Sequence, residues 1–525
     1  MTRLPALAMA LVLLGGGAAA LWAARDSGVA WDESVQARYG ELVLEDFRSG
    51  LATRASSEFL DLRFYGPPFE ALAALAYAGS PERRFAIRHL LVAVAGIAGV
   101  AALMAFAATL GMPWLPPAAG LALLAMPRFF GHVLHNSKDV PFAAGFALAV
   151  AALAALLVRR EPSPRRALAA GAALGLAAAL RPGGLPMLAG LLAATLAARA
   201  WLAPGPRPPA RALLGAAGLF AAALAVAWLV MVAPWPWALA SPLRHPLEAM
   251  ARAGSFAEVY QVLFEGRSWA SDALPRRYLA QFLLITTPPA LLALAAAGLA
   301  FAVREQWRAP REPRALLLGL AQLWLLAPLL AASVARPNVY DGLRHFLFVL
   351  PALALFAGFG ACALVSLVPG RGARRLAAVA AALALASALP ALVRLHPYQY
   401  AYFNAVVGGL SGAEGRYETE YWATSYREAM AWIEERARER GEVGPLKVWV
   451  AANAWSLSCA QAFASERVAL EPLWRPGVPG RVPADVDYYL STTRFGLHRN
   501  FPRSPVVHEV GRDGAIFAVV KQGGP

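Results

Sequence analysis

The 525-residue chain has 48 Lys and Arg against 33 Asp and Glu, a formal net charge of +15, 58% hydrophobic residues and a mean hydropathy of +0.49. Such a composition excludes an ordinary soluble enzyme and describes a polytopic membrane protein. The positive charge does not imply nucleic acid, because the arginines are spread over loop ends with no basic stripe and no interleaved aromatics.

A bilayer core of about 30 Å needs about 20 apolar residues per helix. Eleven such stretches are predicted, at 4–24, 88–110, 114–131, 141–158, 166–181, 184–203, 212–233, 279–303, 315–335, 346–368 and 376–393. The first resembles a signal peptide in having Arg3, an apolar core and small residues at Ala18 to Ala20, but its length suits a retained anchor. It opens onto a long acidic loop, 25–88, that begins with Trp31-Asp32-Glu33-Ser34. The stretch Gln36 to Phe47 is amphipathic, with Val35, Tyr39, Leu42, Val43 and Phe47 able to lie on the membrane surface. Farther on, Pro67 and Pro68 stop any helix and turn Arg63-Phe64-Tyr65-Gly66 back toward the membrane.

Short cytoplasmic loops collect positive charge. Counting alternately from Arg3, the inner loops hold Arg159, Arg160, Arg165 and Arg166, then Arg199, Arg207 and Arg211, then Arg304, Arg308, Arg311 and Arg314, then Arg371, Arg374 and Arg375. The N-terminus is expected inside and the C-terminal tail outside. Two further short outer loops follow from this count, His135-Asn136-Ser137-Lys138-Asp139-Val140-Pro141 and Arg336-Pro337-Asn338-Val339-Tyr340-Asp341-Gly342-Leu343-Arg344-His345. Lys138 is one of only three lysines, with Lys447 and Lys521, in an arginine-dominated chain.

From His396 the apolar runs shorten. Tyr398, Tyr400, Tyr402 and Phe403 read as an aromatic belt at the last span. Thr424 to Arg440 is predicted as an amphipathic helix with Ala429, Trp432, Ile433 and Ala437 on one face. Strands are predicted at Leu446–Val450 and Val486–Leu490, with a hairpin of Val506–Val510 and Ala515–Val520 turning at Arg512-Asp513-Gly514. The predicted architecture is an all-α membrane domain over 1–393 and a small extracytoplasmic α/β domain over 394–525. Cys362 and Cys459 lie in settings too different to pair, and His132, His245, His396, His498 and His508 form no zinc spacing.

Carboxylates, cations and aromatics gathered at one interface suit a substrate with an anionic head and a lipid tail, such as a polyprenyl-phosphate sugar. A carboxylate can take the proton of an acceptor hydroxyl while cations stabilise the departing phosphate, inverting the anomeric carbon. Asp32 is the candidate base. The alternative class is a transporter or lipid flippase, but no inverted repeat is found and few acids fall inside the spans. A scaffold would leave the four outer loops without a common purpose.

The order of a first span, an Asp-Glu pair, a Pro-Pro turn, an Arg-led second span, an Asp-Pro loop and a late Arg-His loop resembles the C-type (GT-C) membrane glycosyltransferases. Within them it is most similar to glycosyltransferase family 39 and its relatives, the protein O-mannosyltransferases and the lipid A aminoarabinose transferases. The resemblance spans about 1–393. It implies Asp32 and Glu33 as the catalytic pair, Asp139 as the acid of the second outer loop, and Lys138, Asp139, Arg344 and His345 around the donor phosphate. Some relatives bind a divalent metal near these carboxylates, which makes Asp32 and Asp139 the candidate ligands; others use none. The implied partners are a polyprenyl-phosphate sugar, a hydroxyl acceptor on protein, glycolipid or polysaccharide, and membrane lipids, at a bacterial inner membrane. The chain departs from the family at Gln36, where an aromatic is common, and at Gly66, where a lysine often precedes Pro-Pro.

Overall fold

The computed structural model describes residues 3–158, 163–202, 210–253, 258–441 and 444–523; Arg159, Arg160 and Arg207 of the predicted inner loops lie outside the described residues. Among these residues, nine helices are long and apolar enough to cross a membrane: Arg3–Asp26, Pro81–Thr109, Asp139–Val158, Pro182–Trp201, Ala210–Val232, Pro289–Arg308, Pro313–Ala335, Arg344–Leu367 and Arg371–Arg394. Two of the eleven predicted stretches are not among these nine. The stretch 114–131 is cut into Leu115–Leu124 and Pro127–Val133, because proline at 127 cannot donate to the preceding turn. The stretch 166–181 is the 17-residue helix Pro164–Leu180, about 25 Å long at 1.5 Å per residue, and it runs back to the end of the bundle where Arg181 pairs with Asp139. The stretch predicted at 279–303 is likewise divided at Thr287-Pro288 into Tyr278–Thr286 and Pro289–Arg308.

Two helices form the centre of the bundle. Asp139–Val158 and Arg344–Leu367 bury 72% and 78% of their apolar windows, whereas Arg3–Asp26 and Ala210–Val232 bury 11% each and present Leu14 and Leu214 outward to lipid. Both central helices begin with a charged candidate residue, so their starts bring Asp139 and Arg344 together at one end of the bundle. Small residues let the backbones approach. A Cβ on Gly360 would stand 2.0 Å from the Leu294 carbonyl oxygen, and one on Gly298 2.0 Å from that of Phe356, which fixes the crossing of Pro289–Arg308 with Leu350–Leu367.

The first loop is helical where amphipathicity predicts it, over Glu33–Arg48, but its apolar face packs on protein. Tyr39, Leu42 and Val43 are buried against the helix Pro68–Tyr77 and the turn before it, so the expected membrane-surface placement is corrected: the Pro-Pro turn supplies a protein partner for that face. Two hydrogen bonds position the turn, Tyr39 Oη donating to the Tyr65 carbonyl at 3.0 Å and Trp235 Nε1 to the Arg63 carbonyl at 3.0 Å. At Gly66 an added Cβ would lie 1.5 Å from the Ala179 carbonyl oxygen, so no side chain fits there, and the absent lysine has a steric cause. Gly66→Ala is expected to destabilise by about 1–3 kcal/mol, read as a lower unfolding midpoint in detergent; an unchanged midpoint would refute the close approach.

Among the described residues, seven strands form two sheets. The hairpin β1 (Gln261–Phe264) and β2 (Arg267–Ala270) stands apart from a five-stranded sheet of β3 (Leu446–Val450), β4 (Val468–Pro472), β5 (Tyr488–Thr492), β6 (Val506–Arg512) and β7 (Ala515–Gln522), in the order β4-β3-β5-β7-β6. β3 pairs in parallel with β4 and β5, and β7 pairs antiparallel with β5 and β6. The helix Tyr426–Arg440 covers the sheet with Ala429, Ile433 and Ala437 buried, as its periodicity predicts, and Trp432 stacks on His508 at 5.1 Å. The short, Pro-ended β4 gives little signal in the sequence, being an edge strand.

The segment after the last span overturns the aromatic-belt expectation. Tyr398 and Tyr400 are fully buried, Tyr398 against Phe517 at 5.1 Å and Tyr400 against His135 at 5.3 Å. The chain folds back into the seam between bundle and sheet, where aromatic rings fill the interior instead of facing headgroups.

Candidate active site

A recess of about 510 Å3 opens at the end of the bundle that carries the C-terminal sheet, and its lining includes Asp32, Lys138, Asp341, Arg344 and Arg494. Asp32 precedes the helix Glu33–Arg48 without a side-chain capping bond, and its side chain is 37% exposed into the recess while paired with Lys138 Nζ at 3.1 Å. Lys138 also lies over the Tyr65 ring, 5.6 Å from its centroid. Burial works to raise the Asp32 carboxyl, yet Lys138, Arg344 and Arg494 outweigh it and hold the group below its ordinary value.

Glu33 points away from the recess. It is buried, lies 3.0 Å from His89 Nε2 and accepts the Ala30 N–H at 2.8 Å. That geometry locks the entry to the helix that carries Asp32. Glu33→Gln is expected to lower stability by about 1–3 kcal/mol and to reduce turnover less than the same change at Asp32; a loss of turnover as large as at Asp32, with an unchanged unfolding midpoint, would contradict a positioning role.

Asp139 is buried and stays out of the recess lining. It pairs with Arg181, lies 3.6 Å from Arg344 Nη1 and accepts Asn136 Nδ2 at 2.7 Å. It makes no pair with Lys138, which turns the other way to Asp32. Arg344 is buried, with Nε 3.0 Å from the Asp341 carboxylate and the guanidinium over the rings of Tyr340 and Trp422 at 4.7 and 4.8 Å. His345 meets Tyr340 edge to face at 4.8 Å and lines a second, apolar cavity.

Two arginines of the site escaped the sequence reading. Arg181 sits between two apolar stretches at a Pro-Gly-Gly turn, and an arginine embedded among spans is itself a functional signal. Arg494 belongs to the C-terminal domain and reaches across to the bundle, donating to Asp341 at 2.6 Å and to the Tyr421 carbonyl at 2.6 Å. It lies between Trp31 and Phe495, 4.8 and 4.7 Å from their centroids. Nothing in its local sequence marks it. The result is a chain of alternating charges, Arg181, Asp139, Arg344, Asp341 and Arg494, that ties the two central helices to the sheet domain. Burial raises the Asp341 carboxyl despite Arg494 and Arg344, with Glu418 close behind it pushed up to about 7 by the same burial.

The second cavity, of about 560 Å3, runs along the bundle and is lined by apolar groups such as Phe142, Phe146, Met187 and Phe348, with Arg181, Arg252 and His345 among them. Asp61 and Tyr65 line both cavities. The donor set does not fit a divalent metal: Asp32 is engaged by an ammonium and Asp139 by two guanidinium groups, and among the described residues no group of three His, Cys, Asp or Glu gathers to hold one.

No protein-family model matches the chain, and no curated protein matches it in sequence. Solved structures do match its shape. ArnT from Cupriavidus metallidurans bound to undecaprenyl phosphate aligns with a TM-score of 0.52 at 17% identity, covering 99% of this chain and 98% of that one. The oligosaccharyltransferase of Archaeoglobus fulgidus gives 0.48 at 13% identity over 91% and 69% of the two chains. The arabinofuranosyltransferase AftD from Mycobacteria gives 0.44 at 16% identity over 100% and 40%. At such identities the likeness concerns the fold, and the full-length match to ArnT establishes that this multi-pass membrane chain has the fold of the GT-C glycosyltransferases.

Proposed function

We propose that the protein transfers a sugar from a polyprenyl-phosphate donor to an acceptor hydroxyl, with inversion and with Asp32 as general base. One observation carries this reading: an apolar cavity within the bundle and a polar, cation-lined recess beside Asp32 meet at Asp61 and Tyr65. An amphiphile with a long hydrocarbon tail and an anionic head matches that pair of spaces, the tail along Phe142, Phe146 and Phe348 and the head toward Lys138, Arg181 and Arg344. The undecaprenyl phosphate bound to ArnT is of that chemical class.

In the reaction the acceptor oxygen forms the new bond to the anomeric carbon. The anomeric C–O bond to phosphate breaks, and its electron pair leaves on the lipid phosphate. The acceptor proton passes to Asp32. Lys138 links the two halves: paired with Asp32 it holds that carboxylate ionised, and an arriving phosphate competes for the same ammonium, leaving Asp32 a stronger base once the donor is seated. The guanidinium of Arg344, fixed by Asp341 and by two aromatic faces, offers a rigid cation for the departing charge. The reaction is placed on the extracytoplasmic face of a bacterial inner membrane, the side to which the arginine count assigns these loops.

The test is transfer of radiolabelled sugar from a panel of undecaprenyl-phosphate sugars to membrane extracts by the purified protein. Labelled product with at least one donor is expected; no transfer from any donor by a folded preparation would favour transport of the lipid.

A further inference from the structure

The acceptor side of the recess carries two tryptophans that packing alone does not account for. Of the five tryptophans in 394–525, Trp422 is buried and Trp432 and Trp449 are half-buried, whereas Trp455 and Trp474 are 49% and 43% exposed. Both exposed rings line the recess that holds Asp32.

Each ring is held in place. Trp474 stands edge-on to Trp31 at 5.5 Å and to Phe495 at 5.7 Å. Trp455 stands edge-on to Phe59 at 5.4 Å. The Trp455 backbone N–H donates to Asn453 Oδ1 at 3.0 Å, and its backbone carbonyl accepts Ser34 Oγ at 2.8 Å. Ser34 lies two residues from Asp32, so the Trp455 backbone and the candidate base are tied to the same helix start. Despite these contacts close to half of each indole stays exposed, and an ordered, exposed indole keeps apolar area in water unless a ligand covers it.

The chemistry of the surroundings selects the occupant. A pyranose has an apolar C–H face, whose partial positive charge suits the negative face of an indole, and a rim of hydroxyls that need polar partners. Asn453, Asp61 and Glu258 line the same recess and provide them. The carboxylates of Asp61 and Glu258 also disfavour an anionic acceptor. We propose that Trp455 and Trp474 form a stacking shelf for a neutral sugar residue, so that the acceptor is a saccharide, one of whose hydroxyls is presented to Asp32. This rests on the transferase reading above and assigns the acceptor class of that same site.

The test uses the full chain in lipid nanodiscs, with manno-, malto- and chitotetraose and a Ser/Thr-rich decapeptide as probes in saturation-transfer-difference NMR. At least one tetrasaccharide is expected to bind, with saturation strongest at its ring C–H protons. Trp455→Ala or Trp474→Ala is expected to weaken it by about fivefold or more, and the corresponding Phe variants to recover most of the affinity. Unfolding midpoints of all four variants separate loss of the shelf from loss of the fold, since the Phe variants keep the edge-on packing. Binding of the peptide alone, no binding of any tetrasaccharide, or affinity unchanged in both Ala variants would overturn the shelf. Measuring donor-dependent transfer in the same samples keeps the two readings apart. Transfer without saccharide binding removes the shelf only, and tryptophan-dependent saccharide binding without transfer from any donor removes the transferase reading and keeps the shelf.

Discussion

Asp32→Asn is expected to cut transfer from the lipid-phosphate donor by about 100- to 10,000-fold, the usual worth of a positioned general base, while donor binding is kept. The amide preserves the shape of the carboxylate and can still contact Lys138, so the fold has no reason to fail; what disappears is the proton acceptor. Radiolabel transfer and donor binding measured side by side decide it. Equal transfer by the variant would remove Asp32 from the chemistry, and joint loss of binding and transfer would give it a donor-holding role. The pH profile adds a second reading. Asp32 is competent only when ionised, and Lys138, Arg344 and Arg494 outweigh burial to hold its pKa below the ordinary 3.8, so rate is present above that lowered pKa and is lost as pH falls through it. The acid limb of kcat/KM, which reports the free enzyme, is therefore expected below the ordinary aspartate range. Lys138→Met removes the largest of the lowering cations and moves the limb upward; an unmoved limb would mean that another group titrates there.

Arg344→Ala is expected to have the largest effect on the molecule as a whole. The guanidinium is buried between Asp139 and Asp341, at 3.6 and 3.0 Å, and removing it leaves two buried carboxylates with one arginine each, Arg181 and Arg494. Breaking a buried pair from one side costs about 3–5 kcal/mol, which would appear as a markedly lower unfolding midpoint together with loss of transfer. Arg344→Lys separates the two roles. It keeps the charge and loses the planar fork over Tyr340 and Trp422, so most of the stability should return while turnover stays low. A Lys variant with full turnover would reduce Arg344 to a plain counter-ion.

The membrane class was legible because bilayer spans need long apolar runs, and such runs are a one-dimensional property. The same held for the helix after Asp32 and for the helix and hairpin of the C-terminal domain, where periodicity and the Asp513-Gly514 turn are local signals. Asp32, Lys138, Asp139 and Arg344 could be named because charged residues at the ends of apolar stretches are few. Their partners could not. Lys138 and Asp139 are adjacent in sequence yet face different ions, since consecutive residues at a helix start point in different directions.

By itself, then, the sequence determined that the chain crosses a membrane many times, that a small α/β domain follows, and that a few charges stand at the ends of spans. The tertiary structure alone decided that Glu33 turns inward to His89, that Tyr398 and Tyr400 fill the interior, and that Arg181 and Arg494 join the site from distant parts of the chain. It also decided that Trp455 and Trp474 line the same recess as Asp32, built by both domains. The division has a physical cause. Hydrophobic length and periodicity act along the chain, whereas ion pairing and cavity shape depend on which helix ends the close packing of small residues brings together.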